Sequence, residues 1–194
     1  MHAGELSFGQ VPPADMKDHI AKALEAGADR IGHGVDIAHE TDAFATLRRM
    51  AENDVAIEIN LTSNDVILGV TGDEHPIALY RAFGVPVTLS TDDQGILRTD
   101  LTQEYQRAAS EHGLSYRDLK QISRAGLEYG FLPGESLWAD PRTAVAVAPC
   151  AATFEANDCA AFLQANEKAR LQAMLERDFQ RFEAAMTDVP ELNR

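Results

Sequence analysis

Three short segments of this chain carry side chains that can move protons or hold a metal: His2-Ala3-Gly4-Glu5, Arg30-Ile31-Gly32-His33-Gly34 and Ser90-Thr91-Asp92-Asp93. A histidine at a strand end can ligate zinc through a ring nitrogen, and a glutamate shortly after it can reach a reacting nitrogen without binding the metal. The small residues between His2 and Glu5 leave room for a substrate to approach the backbone at Gly4. His33, boxed by Gly32 and Gly34, stands at a bend where an imidazole can serve as base or electrostatic stabiliser. Asp92 and Asp93 would repel each other unless a cation or a hydrogen-bonding ligand makes the doubly ionised or singly protonated pair useful. Each segment also has a purely structural reading. These are a solvated histidine and a helix-start glutamate, a core histidine at a turn, and an Asx-type turn leading into a helix.

All three segments lie at or just past short apolar runs. Such runs recur at 30–33, 55–59 and 85–89, spaced by roughly the ~30 residues of a βαβ unit. Between them, Met16, Ile20, Ala23 and Leu24 form one helical stripe, and Phe44, Leu47 and Met50 a second. Leu79, Tyr80 and Phe83 form a third behind Pro76, and Gly27 and Gly84 fall where helices should stop. This rhythm predicts a parallel sheet covered by helices, the architecture in which catalytic groups sit at the C-terminal ends of the strands.

Beyond residue 100 helix follows helix. Leu101, Tyr105 and Ala108 mark one, ended by Gly113, and Ser115 to Asp118 opens the next in the manner of a capping box before Leu119, Ile122 and Tyr129. Residues 131–153, rich in proline, read as an irregular connector. A last amphipathic helix is expected to pack through Leu171, Met174, Leu175, Phe179 and Phe182.

Composition narrows the partners. With 31 acidic against 17 basic residues the net charge is −14, which opposes binding to a phosphate backbone and excludes nucleic acid as the expected partner. No apolar run approaches the ~20 residues of a membrane span, and nothing at the N-terminus resembles a secretion signal, so the default expectation is a cytoplasmic protein with no membrane partner. Cys150 and Cys159 are too few for a disulfide framework and are expected to be ordinary thiols. The H-x-E and P-C-x-x-C pattern of cytidine-type zinc deaminases is absent, since Pro149-Cys150 has no second cysteine three residues on.

Taken together, His2 to Glu5, Gly32-His33-Gly34, Leu61-Thr62-Ser63-Asn64 and Ser90 to Asp93 resemble, in order, the motifs that close the fifth to eighth strands of the adenosine deaminase family. Asp100 to Tyr105 and Phe131 to Trp138 look closer to its growth-factor-like and bacterial branch. The resemblance implies an α/β fold, a partial (β/α)8 TIM barrel holding roughly strands 5–8 with their helices plus C-terminal helices. Residues 1–140 would be the C-terminal half of such a barrel, and 141–194 a connector and amphipathic helix. It further implies zinc held by His2 and Asp92, Glu5 as the acid that protonates purine N1, and His33 orienting or deprotonating the attacking water. Asp93 would accept a hydrogen bond near N7, with Gly4, Glu5 and Asp93 lining the substrate side. The reaction implied is deamination of adenosine, or a related aminopurine nucleoside, to inosine and ammonia.

The family's H-x-H pair, which supplies two more zinc ligands from the first strand, has no counterpart among the 6 histidines here. His19, His39, His75 and His112 fall on expected helices or helix starts and read as surface residues. With only one residue ahead of His2, the first strand should be a stub, and a fragment of a longer deaminase is the simplest expectation. The alternatives are a catalytically silent interaction module, or one half of a split enzyme completed by the missing N-terminal half or by a homo-oligomer.

Overall fold

The computed structural model describes residues 1–187, which divide into two compact units at Gly126/Leu127. In the first unit, β1 (His2–Ala3), β2 (Arg30–His33), β3 (Ala56–Ile59) and β4 (Val87–Leu89) form one parallel sheet in that spatial order. Ile31, Ala56, Ile57, Ile59, Val87 and Leu89 are all buried. A parallel strand covered on both faces reads as such a near-continuous apolar run. The register pairs Ala3 with His33 and Ile59 with Leu89, so residues just after these positions share one rim of the sheet.

Helices supply the crossovers. α1 (His19–Glu25) buries Ile20, Ala23 and Leu24, and α2 (Ala43–Glu52) buries Leu47 and Met50. Phe44, expected on the same buried stripe, is instead 59% exposed and stacks on Phe83. α3 (Leu61–Leu68) follows β3 directly, and α4 (Ile77–Ala82) buries Ile77 and Tyr80. Then come α5 (Gln94–Leu97), α6 (Leu101–His112) and α7 (Tyr116–Glu128). The predicted capping box at α7 is made. Ser115 N–H donates to Asp118 Oδ2 at 2.9 Å, and Asp118 N–H to Ser115 Oγ at 3.3 Å. Two buried carboxylates cap helices from a distance. Glu40 accepts from the N–H groups of Ile20 and Ala21 at the start of α1, and Glu104 accepts from Thr62 N–H at the start of α3. A helix N-terminus carries partial positive charge and unpaired N–H groups, which compensates the burial of these anions.

The second unit differs from expectation in three ways. Within 131–153, expected to be irregular, β5 (Trp138–Asp140) and β6 (Val145–Ala146) pair as an antiparallel ribbon. Cys150 and Cys159, expected to be free thiols, form a disulfide. A short 3-10 turn (Ala148–Cys150) and the first turn of α8 (Asn157–Ala165) bring their Cα atoms to 4.6 Å, inside a small core with Leu137, Trp138 and Leu163. Spacing alone could not show that approach, because the polypeptide between the two doubles back. Finally, α9 (Glu167–Thr187) buries Ala169, Gln172, Ala173 and Glu176. Of the predicted stripe, Met174 and Phe182 are exposed, and Leu171, Leu175 and Phe179 are half-buried. Small side chains allow close approach, and Gln172 earns its burial by accepting from Leu137 N–H at 2.8 Å and donating to Glu128 at 2.7 Å. Among the described residues no helix is long and apolar enough to cross a membrane. Leu137 and Trp138 belong to the second unit's core.

Candidate metal and catalytic site

The rim beyond β1, β2 and β4 is shaped by residues in the left-handed backbone region. His33 has φ +71° and Asp92 φ +52°, conformations uncommon for residues other than glycine. Such positions cost on the order of 1 kcal/mol or more and gather where a side chain must be aimed. Gly4, at φ +70°, turns the chain so that Glu5 reaches the same rim. A Cβ there would lie 2.3 Å from Asp36 Oδ1 and 3.1 Å from Gly34 Cα, so the position requires glycine for packing as well as for the turn.

His2, His33 and Asp92 each offer one ligand atom, all within 4.8 Å of one another. His2 Nε2 lies 4.0 Å from Asp92 Oδ1, and the rings of His2 and His33 are 4.9 Å apart. His33 Nε2 lies 3.6 Å from Glu5 Oε2 and 4.0 Å from Asp92 Oδ2. Ser63 Oγ donates to Asp92 Oδ2 at 2.7 Å and so fixes the carboxylate. Exposure is graded: His33 is buried, Asp92 and Glu5 are part-exposed, and His2 is open. Asp93 sits beside this group but outside it, exposed at the N-cap of α5. Burial pushes the His33 pKa below its ordinary value, while the carboxylates of Glu5 and Asp92 pull it the other way.

Behind His33 lies a polar chain that the sequence did not reveal. Asn64 Nδ2 is 3.0 Å and Asn60 Nδ2 3.3 Å from His33 Nδ1, and Asn64 Oδ1 is 3.0 Å from His75 Nε2. His75, expected on the surface, is 3% exposed. The reason is Pro76. A residue before proline is disfavoured from helical backbone, and His75 is extended at ψ 130°, its ring turned back into the core. A cavity of about 440 Å³ is lined by Leu6, Ser7 and Phe8, which follow Glu5, and by Val35, His39 and Leu68. It has the size of a small-molecule site.

The family model described as adenosine deaminase matches residues 1–138. This chain belongs to the adenosine deaminase family. Similar curated members include aminodeoxyfutalosine deaminase of Streptomyces coelicolor, 40% identical over 143 residues that cover 72% of this chain and 34% of the relative. Adenosine deaminase of Shewanella loihica is 38% identical over 56% of the chain and 32% of its own length. Adenine deaminase of Sinorhizobium medicae is 37% identical over 68% and 38%. The chain thus spans about a third of the length of the curated members it matches. Among solved structures, the apo N6-methyl-AMP deaminase of Arabidopsis thaliana superposes with a TM-score of 0.54 at 29% identity, over 67% of this chain and 35% of that one. A zinc-bound amidohydrolase of Burkholderia ambifaria superposes at 0.55 over 93% and 42%. At 21% identity it speaks for the fold alone. The sheet is therefore part of a deaminase-type barrel, as the sequence motifs implied.

Proposed function

We propose that the protein to which this chain contributes is a zinc-dependent hydrolase that converts adenosine, or a related aminopurine nucleoside, to the 6-oxo product and ammonia. The observation that carries this reading is the convergence of His2, His33, Asp92 and Glu5 on one strand-end rim of a family-matching sheet. The donor set fits the metal. His2 Nε2 and Asp92 Oδ1, 4.0 Å apart, lie within twice the ~2.1 Å reach of nitrogen and oxygen ligands to zinc. When bound, zinc lowers the pKa of water towards ~7 and so makes a nucleophile available at neutral pH.

The chain's own residues do the rest. His33 orients or deprotonates the water that attacks C6, and Glu5 in its acid form gives a proton to N1 as that bond forms. Asp93 accepts a hydrogen bond near N7, Gly4 makes the turn that brings Glu5 to the rim, and Ser63 holds Asp92. The C6–N bond then breaks as the proton of the new C6 hydroxyl passes to the amino group, which leaves as ammonia, and the proton lost by the attacking water restores the acid form of Glu5. Related members are named for aminodeoxyfutalosine, adenosine and adenine, and the last two share the aminopurine ring that Glu5, His33 and Asp93 would address.

His2 and Asp92 are fewer than the three protein ligands usual at catalytic zinc, and among the described residues β1 and β4 pair on one side only. The site is therefore completed by further strands, from the rest of a longer polypeptide, a separate partner half or a second copy. The test is zinc content together with ammonia release from adenosine and adenine and methylamine release from N6-methyl-AMP, on this chain and on the chain joined to its upstream reading frame. Zinc-dependent release by the extended protein supports the reading. A zinc-loaded extended protein inert towards all three would refute it.

A further inference from the structure

A backbone N–H can only donate, and that fixes the direction of the whole chain of contacts behind His33. Ile77 N–H donates to His75 Nδ1 at 3.2 Å. That nitrogen therefore presents a lone pair, and the ring is neutral, since burial pushes its pKa down to about 3. A neutral imidazole with a bare Nδ1 carries its proton on Nε2. His75 Nε2–H thus donates to Asn64 Oδ1 at 3.0 Å, which turns the Asn64 amide so that Nδ2 faces His33 Nδ1, also at 3.0 Å. An amide nitrogen can only donate, so His33 Nδ1 must accept.

We propose that His75 is a positioning residue for His33. Anchored by the first N–H of α4, it orients Asn64 so that His33 is held with its proton on Nε2, facing Glu5 and Asp92. This rests on the deaminase reading for its consequence and decides between the two roles left open there. With Nε2–H pointing into the site, His33 orients the attacking water by donating to it. It is neither a third zinc ligand nor the group that removes the proton. The competing arrangement would turn the Asn60 carbonyl towards a proton on His33 Nδ1. It fails because the Asn64 N–H, held by His75, would then meet an N–H. Asn60 Nδ2 lies 3.3 Å from the same nitrogen and adds a second donor.

The test is long-range ¹H–¹⁵N correlation of the histidine side chains in the full chain at pH 8, as purified and after chelation, with His33 assigned by its absence in His33→Gln. His33 should show a pyridine-like Nδ1 and a pyrrole-like Nε2, and His75 the same pattern. Asn64→Asp offers only acceptors and should move the His33 proton to Nδ1. His75→Leu should give a mixture of tautomers, and His75→Gln, whose amide can still donate to Asn64, should restore the original state. A wild-type His33 protonated on Nδ1 overturns the proposal, whatever the variants do. In the extended enzyme His75→Leu should lower kcat by about 10–100-fold with KM little changed, and His75→Gln should recover it. A wild-type extended enzyme with this tautomer pattern but no deaminase activity would count against the functional reading. A His75→Leu enzyme that loses activity while His33 keeps its proton on Nε2 would count against the relay.

Discussion

Asp36→Asn should stabilise the protein at neutral and alkaline pH while leaving it nearly unchanged in mild acid. Asp36 is fully buried on the turn after His33, and neither carboxyl oxygen has a hydrogen-bond partner among the described residues. Burial, and then the nearby Glu40, push its pKa up from 3.8 to about 7. Because the folded value is raised, the native state keeps a proton that the unfolded chain has released. Stability is then complete below about pH 4, falls as pH rises towards 7, and is level above that. A shift of roughly 3 units corresponds to about 4 kcal/mol, an order-of-magnitude ceiling. Asn mimics the neutral acid in size and donors but has no proton to lose, so the penalty disappears. Urea unfolding of both proteins at several pH values between 4.5 and 8.5, followed by far-UV circular dichroism, measures it. Fluorescence of the single tryptophan, Trp138, would report the second unit instead. A difference between variant and wild type that is flat across this range would refute the reasoning.

Gly34→Ala should destabilise the first unit by about 2 kcal/mol or more. The new Cβ would lie 2.3 Å from Tyr80 Oη, whose hydroxyl donates to Gly34 O, at a φ of +59°; unchanged urea midpoints would contradict this. Reducing the bridge between Cys150 and Cys159, which lie at a sequence separation of 9, should cost the second unit about 2–3 kcal/mol. It is read as a reductant-dependent shift in Trp138 fluorescence during urea unfolding, and quantitative alkylation of the native protein without reductant would show that no bridge exists. This chain alone should retain little zinc through dialysis and turn over adenosine poorly, because it brings two metal donors; stoichiometric zinc with turnover would overturn that expectation.

What could be read from the sequence followed period and punctuation. The three apolar runs became β2, β3 and β4 and the Ser115–Asp118 box was made, because each depends on neighbours within a few residues, whereas the four motifs meet on one rim through the parallel register of the strands they follow. What could not be read depends on residues far apart in sequence. His75 reaches Asn64 only once α3 and the loop before α4 are folded. Glu40 and Glu104 become helix caps only when α1 and α3 arrive beside them. Cys150 and Cys159 meet through a reversal of the chain that neither composition nor spacing signals. The buried face of α9 was misjudged for a related reason: the stripe of large apolar side chains marks a possible packing face, but alanines permit closer contact, and Gln172 is repaid by hydrogen bonds.

The division of labour between Glu5 and Asp92 is tested most directly by zinc content and kcat of Glu5→Gln and Asp92→Ala in the upstream-extended protein. Glu5→Gln should keep its zinc and lose ~10²–10⁴-fold in kcat, the usual cost of removing a general acid. Asp92→Ala should lose zinc and regain part of its activity when zinc is supplied in excess. Equal loss of metal in both variants would mean that Glu5 is a ligand or a structural residue, and would contradict the acid role on which the proposed deamination depends.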